Sequence, residues 1–118
     1  MVVLKIALEE LKLLTKLEEL DQYSHGVLHQ FPKCEKYVLA MQVRQTLAGL
    51  IHQTIRCAKR FHKKTSLQDM DIEVEYMRSL VRKSYALGYI NIHRYEVWSS
   101  HVNEIGKIVG GWIIKAEK

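Results

Sequence analysis

Tyr95, Trp98, Val102, Ile105, Val109, Trp112 and Ala116 recur at intervals of 3, 4, 3, 4, 3 and 4 residues. Apolar side chains so spaced share one stripe of a helix, which is buried only if other helices supply matching stripes. Three more segments of the chain have this form. Val3, Ile6, Leu13, Leu17, Leu20, Val27 and Phe31 predict a helix over about residues 3 to 30, and Tyr37, Ala40, Met41, Leu47, Ala48, Ile51, Ile55 and Ala58 predict one over about 34 to 63. Met70, Val74, Met77, Leu80, Val81 and Tyr85 mark a third, ahead of the segment from Tyr95. No strand pattern competes with them.

The punctuation between segments agrees. The single proline lies in Phe31-Pro32-Lys33, where it disfavours helix at the preceding residue and suits the start of the next. Ser66 and Asp69 are spaced as a capping box for the third helix. Gly88 is a natural left-handed C-cap, and Asn91 an N-cap for the fourth helix. Thr15 and Glu18 form another capping-box pattern, so the first helix either runs from about residue 3 or starts properly at Thr15, leaving residues 1 to 14 as an N-terminal helical extension. Four helices with short connections predict one all-α domain over residues 1 to 118, folded as an antiparallel up-down four-helix bundle.

A chain of 118 residues buries about two thirds of the surface its unfolded form exposes, enough to fold without staples. No apolar run is long enough to span a bilayer, and the start MVVLKIALEE lacks the features of a signal peptide, so a cytoplasmic home and no membrane partner are expected. Cys34 and Cys57, if on one helix, are separated by on the order of 35 Å, beyond disulfide reach, and are expected to be free buried thiols.

The formal net charge is +5, with a pI near 9.3, a balance that favours an anionic partner such as nucleic acid. Arg56, Lys59, Arg60 and Lys63 share one face of the second helix, with Lys64 beside them and no carboxylate between Arg56 and Lys64. Cations near a helix C-terminus are favoured by the macrodipole, so a bland solvated face competes with polyanion contact. On the third helix Asp71, Glu75, Arg78 and Arg82 form a stripe in which Glu75 can pair with Arg78. Arg44 falls inside the apolar arc drawn above, so a structural ion pair is expected for it.

His25 and His29 share a helix face, but no third ligand is marked, so no metal site is expected. No phosphate-binding glycine loop, nucleophile elbow or acidic ligand set is present, which argues against an enzyme and against a cofactor. Gly106 and Gly110 lie on a stripe flanking the Trp98 to Trp112 seam, where missing side chains allow a helix to approach closely, within the bundle or between subunits, while Trp112 fills the core. Gly111 points elsewhere and has no such role.

Phe31-Pro32-Lys33 followed by Glu35, Lys36 and Tyr37, then Arg44, Asp71, Met77-Arg78, Arg82 and Gly106-Lys-Ile-Val-Gly110-Gly111-Trp112, together resemble a known family. It is that of the accessory variability determinant (Avd) proteins of diversity-generating retroelements, within a wider group of four-helix bundles that includes proteins encoded in 23S ribosomal RNA intervening sequences. The resemblance runs from about residue 15 to the end. It implies a homopentameric barrel of bundles that binds the element's reverse transcriptase and its RNA or RNA/DNA, supporting mutagenic cDNA synthesis without catalysing it. By motif match Arg78 and Arg82 carry over as functional basic residues, whereas the Lys59 to Lys64 cluster is assigned from this sequence alone. The alternative is a relative of the intervening-sequence type with an RNA-associated role.

Overall fold

The computed structural model describes residues 2–59 and 64–117, with side chains over 10–59 and 64–116. Four helices follow in order: α1 (Val2–Leu28), α2 (Leu39–Lys59), α3 (Lys64–Ala86) and α4 (Ile92–Glu117). Contacts run α1 to α2, α2 to α3, α3 to α4 and α4 back to α1, so the helices close a ring around one core. With short connections, that order makes an up-down bundle, drawn out to 48 × 22 × 21 Å. The described residues contain no strand. None of the described helices is long and apolar enough to cross a membrane.

Leu13, Leu17, Leu20 and Val27 of α1 meet Leu39, Val43, Leu47 and Leu50 of α2, Met70, Val74 and Met77 of α3, and Trp98, Val102, Ile105 and Val109 of α4 in one buried cluster. The α4 stripe is therefore the core face that its period predicts, with Tyr95 and Trp112 half-buried at its margins and Ala116 exposed. Trp98 is fully buried, and its indole N–H donates to the Ser24 hydroxyl at 2.8 Å. This bond ties α4 to α1 at a position that would otherwise interrupt the α1 stripe with an orphaned polar group.

Helix ends differ in how well their signals hold. Gly88 adopts φ +78°, and the N–H groups of Gly88 and Tyr89 donate to the carbonyls of Tyr85 and Ser84, which is a Schellman ending for α3. Asn91 caps α4, its side-chain oxygen accepting the Arg94 backbone N–H at 2.8 Å. Thr15, by contrast, caps nothing. Its hydroxyl donates back to the Leu11 carbonyl at 2.9 Å, and α1 continues through it without a break, with Leu13 buried. The expected cap at Ser66 also fails, because α3 is already helical at Lys64 and Ser66 lies buried inside it.

The second helix starts later than its pattern predicts. After Pro32 the chain makes a short 3-10 turn, Lys33–Glu35, before α2 begins at Leu39. Tyr89, in the α3–α4 turn, donates its hydroxyl to Glu35 Oε2 at 2.7 Å and stacks near Phe31 at 5.3 Å between ring centres. The carboxylate acceptor, then burial, push the Tyr89 phenol from 10.0 up to about 12. Since the folded value is the raised one, this contact is intact below pH 10 and is lost as pH climbs towards about 12.

Helix α2 also departs from the expected core face. Its buried row is Leu39, Ala40, Val43, Thr46, Leu47, Leu50, Thr54 and Cys57, whereas Tyr37, Met41 and Ile55 are 84%, 40% and 45% exposed and Ala48 is exposed too. The true row lies one residue earlier, a rotation of about 100°. Two causes act together: apolar residues surround this helix, and the buried face accepts threonines whose hydroxyls satisfy themselves on the carbonyl four residues back, at 2.7 Å for Thr46 and 2.8 Å for Thr54. Of the cysteines, Cys57 is buried as expected, while Cys34, expected to be buried, is exposed in the 3-10 turn.

Candidate nucleic-acid interface

The rotation of α2 moves its cations further from the core. On a helical wheel the Arg56 and Lys59 face is now about 165° from the centre of the buried row, and both residues are exposed. Lys64, exposed at the start of α3, sits at the same end of the bundle. Arg60 and Lys63 lie outside the described residues. No carboxylate occurs anywhere in α2, and among the described residues none of Arg56, Lys59 and Lys64 makes an ion pair. Dipole stabilisation accounts for Arg56 and Lys59 at a helix C-terminus but not for Lys64, which stands where the macrodipole is positive. The end is thus a cation surface with no internal partner.

Arg78 and Arg82 form a second, separate site. It lies about 21 Å further along α3 than Lys64, taking 1.5 Å per residue. Arg78 Nη1 donates to Glu75 Oε2 at 2.9 Å, as the spacing predicts, and Arg82 Nη2 lies 3.9 Å from the other oxygen of the same carboxylate. One acid is therefore shared by two arginines. The pair keeps net positive charge, and the Arg82 side chain remains 56% exposed.

Two residues of α4, neither evident as a partner from the sequence, hold Arg78 in place. Asn103 Oδ1 accepts its Nε–H at 3.0 Å, and Gly106 leaves the space its guanidinium fills, since a Cβ there would collide with Arg78 Nη2. Beside them Arg78, Tyr95, Ser99, Asn103, Glu104 and Lys107 line an open groove of about 610 Å³. Glu104 in this groove reaches Lys16 of α1 at 3.5 Å, which fixes its position on the rim.

Gly106 thus has the close-packing role expected of it, but towards an arginine side chain. Gly110 meets no atom of the described residues within 4 Å of where its Cβ would stand, so within the bundle it makes no such contact, and the expectation of packing between subunits is the one that applies to it. Gly106→Ala should raise helix propensity by roughly 1 kcal/mol while expelling the Arg78 guanidinium, which is flexible enough to move. The expected result is an unchanged or higher melting temperature with a displaced Arg78 Nε–H resonance, the same displacement that Asn103→Ala produces. Gly106→Leu, which is larger, should disturb the α3–α4 packing as well.

The remaining candidates resolve differently. Arg44 is exposed, outside the buried row, and its expected carboxylate pairing is replaced by a contact from Nη1 to His25 Nδ1 at 3.2 Å. It was drawn into the apolar arc by the same one-residue displacement. An arginine can only donate, so His25 Nδ1 accepts, its Nε2 carries the proton, and the 3.3 Å contact to His29 Nε2 continues the chain. Among the described residues no group of three or more His, Cys, Asp or Glu side chains is placed to hold a metal ion.

Compared with the curated proteins, the chain finds no match. A family model described as bAvd-like, however, matches residues 11–116, which takes in α1 from Leu11, all of α2 and α3, α4 to Ala116, the Arg78 and Arg82 pair and the glycine-tryptophan segment. On that match, extending over nearly the whole sequence, the chain belongs to the bAvd-like family.

Proposed function

We propose that this chain is a non-catalytic accessory protein of a diversity-generating retroelement. It works in the cytoplasm as a homopentameric barrel that binds the reverse transcriptase and its template RNA through basic surfaces, supporting mutagenic cDNA synthesis. The observation that carries the reading is the family match over residues 11–116, joined to cations that the fold leaves without internal partners. A phosphate backbone supplies the missing charge, and release of its counterions drives binding.

Arg78 and Arg82 suit a partner contact because a guanidinium offers two parallel donors to a phosphate or carboxylate. Glu75 and Asn103 occupy Nη1 and Nε of Arg78, leaving Nη2 without a hydrogen-bond partner among the described residues. Self-assembly is supported by the outward row of α2, where Met41 and Ile55 are exposed beside Ala48. Exposed apolar rows on a helix mark contact surfaces when they are contiguous.

The test is co-purification. Arg78→Ala together with Arg82→Ala should reduce capture of the reverse transcriptase and its RNA at least tenfold, by roughly 1.4 kcal/mol or more, while circular dichroism keeps its helical signal. Unaltered capture would contradict the assignment of these two residues. Loss of the helical signal would return them to a purely structural role.

A further inference from the structure

Between α1 and α4, sharing only Lys107 with the groove beside Arg78, Lys12, Lys107, Ile108, Gly111, Trp112 and Lys115 line a cavity of about 290 Å³. It differs from the groove beside Arg78 in having no carboxylate among the described residues of its wall. Lys12 and Lys107 are exposed, and neither makes an ion pair among the described residues. Trp112 is half-buried against the core and contributes one side of the cavity. Gly111, exposed on the same wall, has no atom of the described residues within 4 Å of its Cβ position, so none of them requires a glycine there. A glycine in mid-helix weakens the helix relative to alanine. Open space above a tryptophan, edged by ammonium groups, gives it a use.

We propose that this cavity binds one unpaired base of single-stranded RNA. The base enters over Gly111 and stacks on the Trp112 indole, and Lys12 and Lys107 hold the phosphates on either side of it. The site rests on the RNA-binding reading above and specifies which form of RNA is taken. Its volume is at the lower limit of small-molecule sites, which suits a single base. Every base offers a π face, so recognition tolerates sequence, and stacking of this kind is worth a factor of roughly 5 to 150 in affinity. Bases inside a duplex are already stacked and do not enter.

The two tryptophans make the test direct. Trp98 is fully buried, so quenching by added RNA reports on Trp112. With the full chain, a short single-stranded RNA should quench tryptophan emission and a duplex of the same length should not. Gly111→Leu should melt at or above the wild-type temperature yet lose the quenching and bind single strands about tenfold more weakly, by the lower part of the stacking range. The surface variant Lys12→Glu with Lys107→Glu should do the same, whereas Arg56→Ala with Lys59→Ala should weaken binding but leave the quenching at saturation. Equal quenching by duplex and single strand, or wild-type binding and quenching in Gly111→Leu, would overturn the site. Quenching by an acidic polypeptide in place of RNA would also overturn it and assign the cavity to a protein partner. If neither form of RNA binds the wild-type chain, the RNA-binding reading falls, and the site with it.

Discussion

Trp98→Ala is expected to lower the unfolding free energy by about 3–5 kcal/mol, a large share of the roughly 5–15 kcal/mol that holds a domain folded. The side chain is the largest of those fully buried, and it is the first buried residue of the α4 stripe, a member of the one core cluster. Removing it leaves a void in a close-packed core, and the Ser24 hydroxyl loses its donor. Ser24→Ala should cost less, about 1–3 kcal/mol, because it leaves the shape intact but orphans the buried indole N–H. The two changes should not add, since each breaks the same bond. Urea unfolding followed by circular dichroism measures all three variants. A Trp98→Ala cost below 1 kcal/mol would mean that α4 is not seated on α1 as described.

The second large effect concerns charge. Replacing Arg56, Lys59 and Lys64 by alanine together should flatten the dependence of log K on log salt for RNA by roughly 2–3, each lost phosphate contact contributing about 0.7–0.9. At low salt the affinity should fall by an order of magnitude or more. Stability should barely change. Losing two cations from the α2 C-terminus costs about 0.3–1 kcal/mol each, offset in part by removing Lys64 from the unfavourable end of α3. A solvated face with no ligand predicts the reverse pattern, a small stability loss and an unchanged salt slope. Titrations by fluorescence anisotropy at several salt concentrations distinguish the two.

Much of this fold was legible because local rules and tertiary packing agree along most of the chain. Between Trp98 and Val109 of α4 every large apolar residue but Ile108 falls on one stripe, so period and burial coincide there. Gly88 and Asn91 were legible because a left-handed C-cap and an N-cap depend on the residue itself and its immediate neighbours. Helix α2 was legible only to within one residue: Tyr37, Met41 and Ile55 face outward and Thr46, Thr54 and Cys57 are buried, although Leu39, Val43, Leu47 and Leu50 make the buried row the more apolar one. Arg44, exposed in the middle of the expected row, is the residue in the sequence that separates the two rows. The partners α1 and α3 decide which is covered.

The site divides in the same way. Glu75 and Arg78 are three residues apart on one helix, so their pairing follows from spacing alone. The share taken by Arg82 spans two turns, and the Asn103 and Gly106 contacts come from another helix, 25 residues away in sequence for Asn103. Nothing local announces them, although Gly106 stood out as a cost without an evident return. His25 and Arg44, 19 residues apart, likewise meet only once α1 and α2 are packed.

The central claim is an oligomeric accessory protein that joins a reverse transcriptase to RNA, and native mass spectrometry of the chain co-expressed with that enzyme and its template RNA tests it most directly. The account predicts a homopentamer of the 13.8 kDa chain, and the same pentamer in a heavier species containing enzyme and RNA that dissociates as salt rises. A clean monomer that carries neither would contradict it.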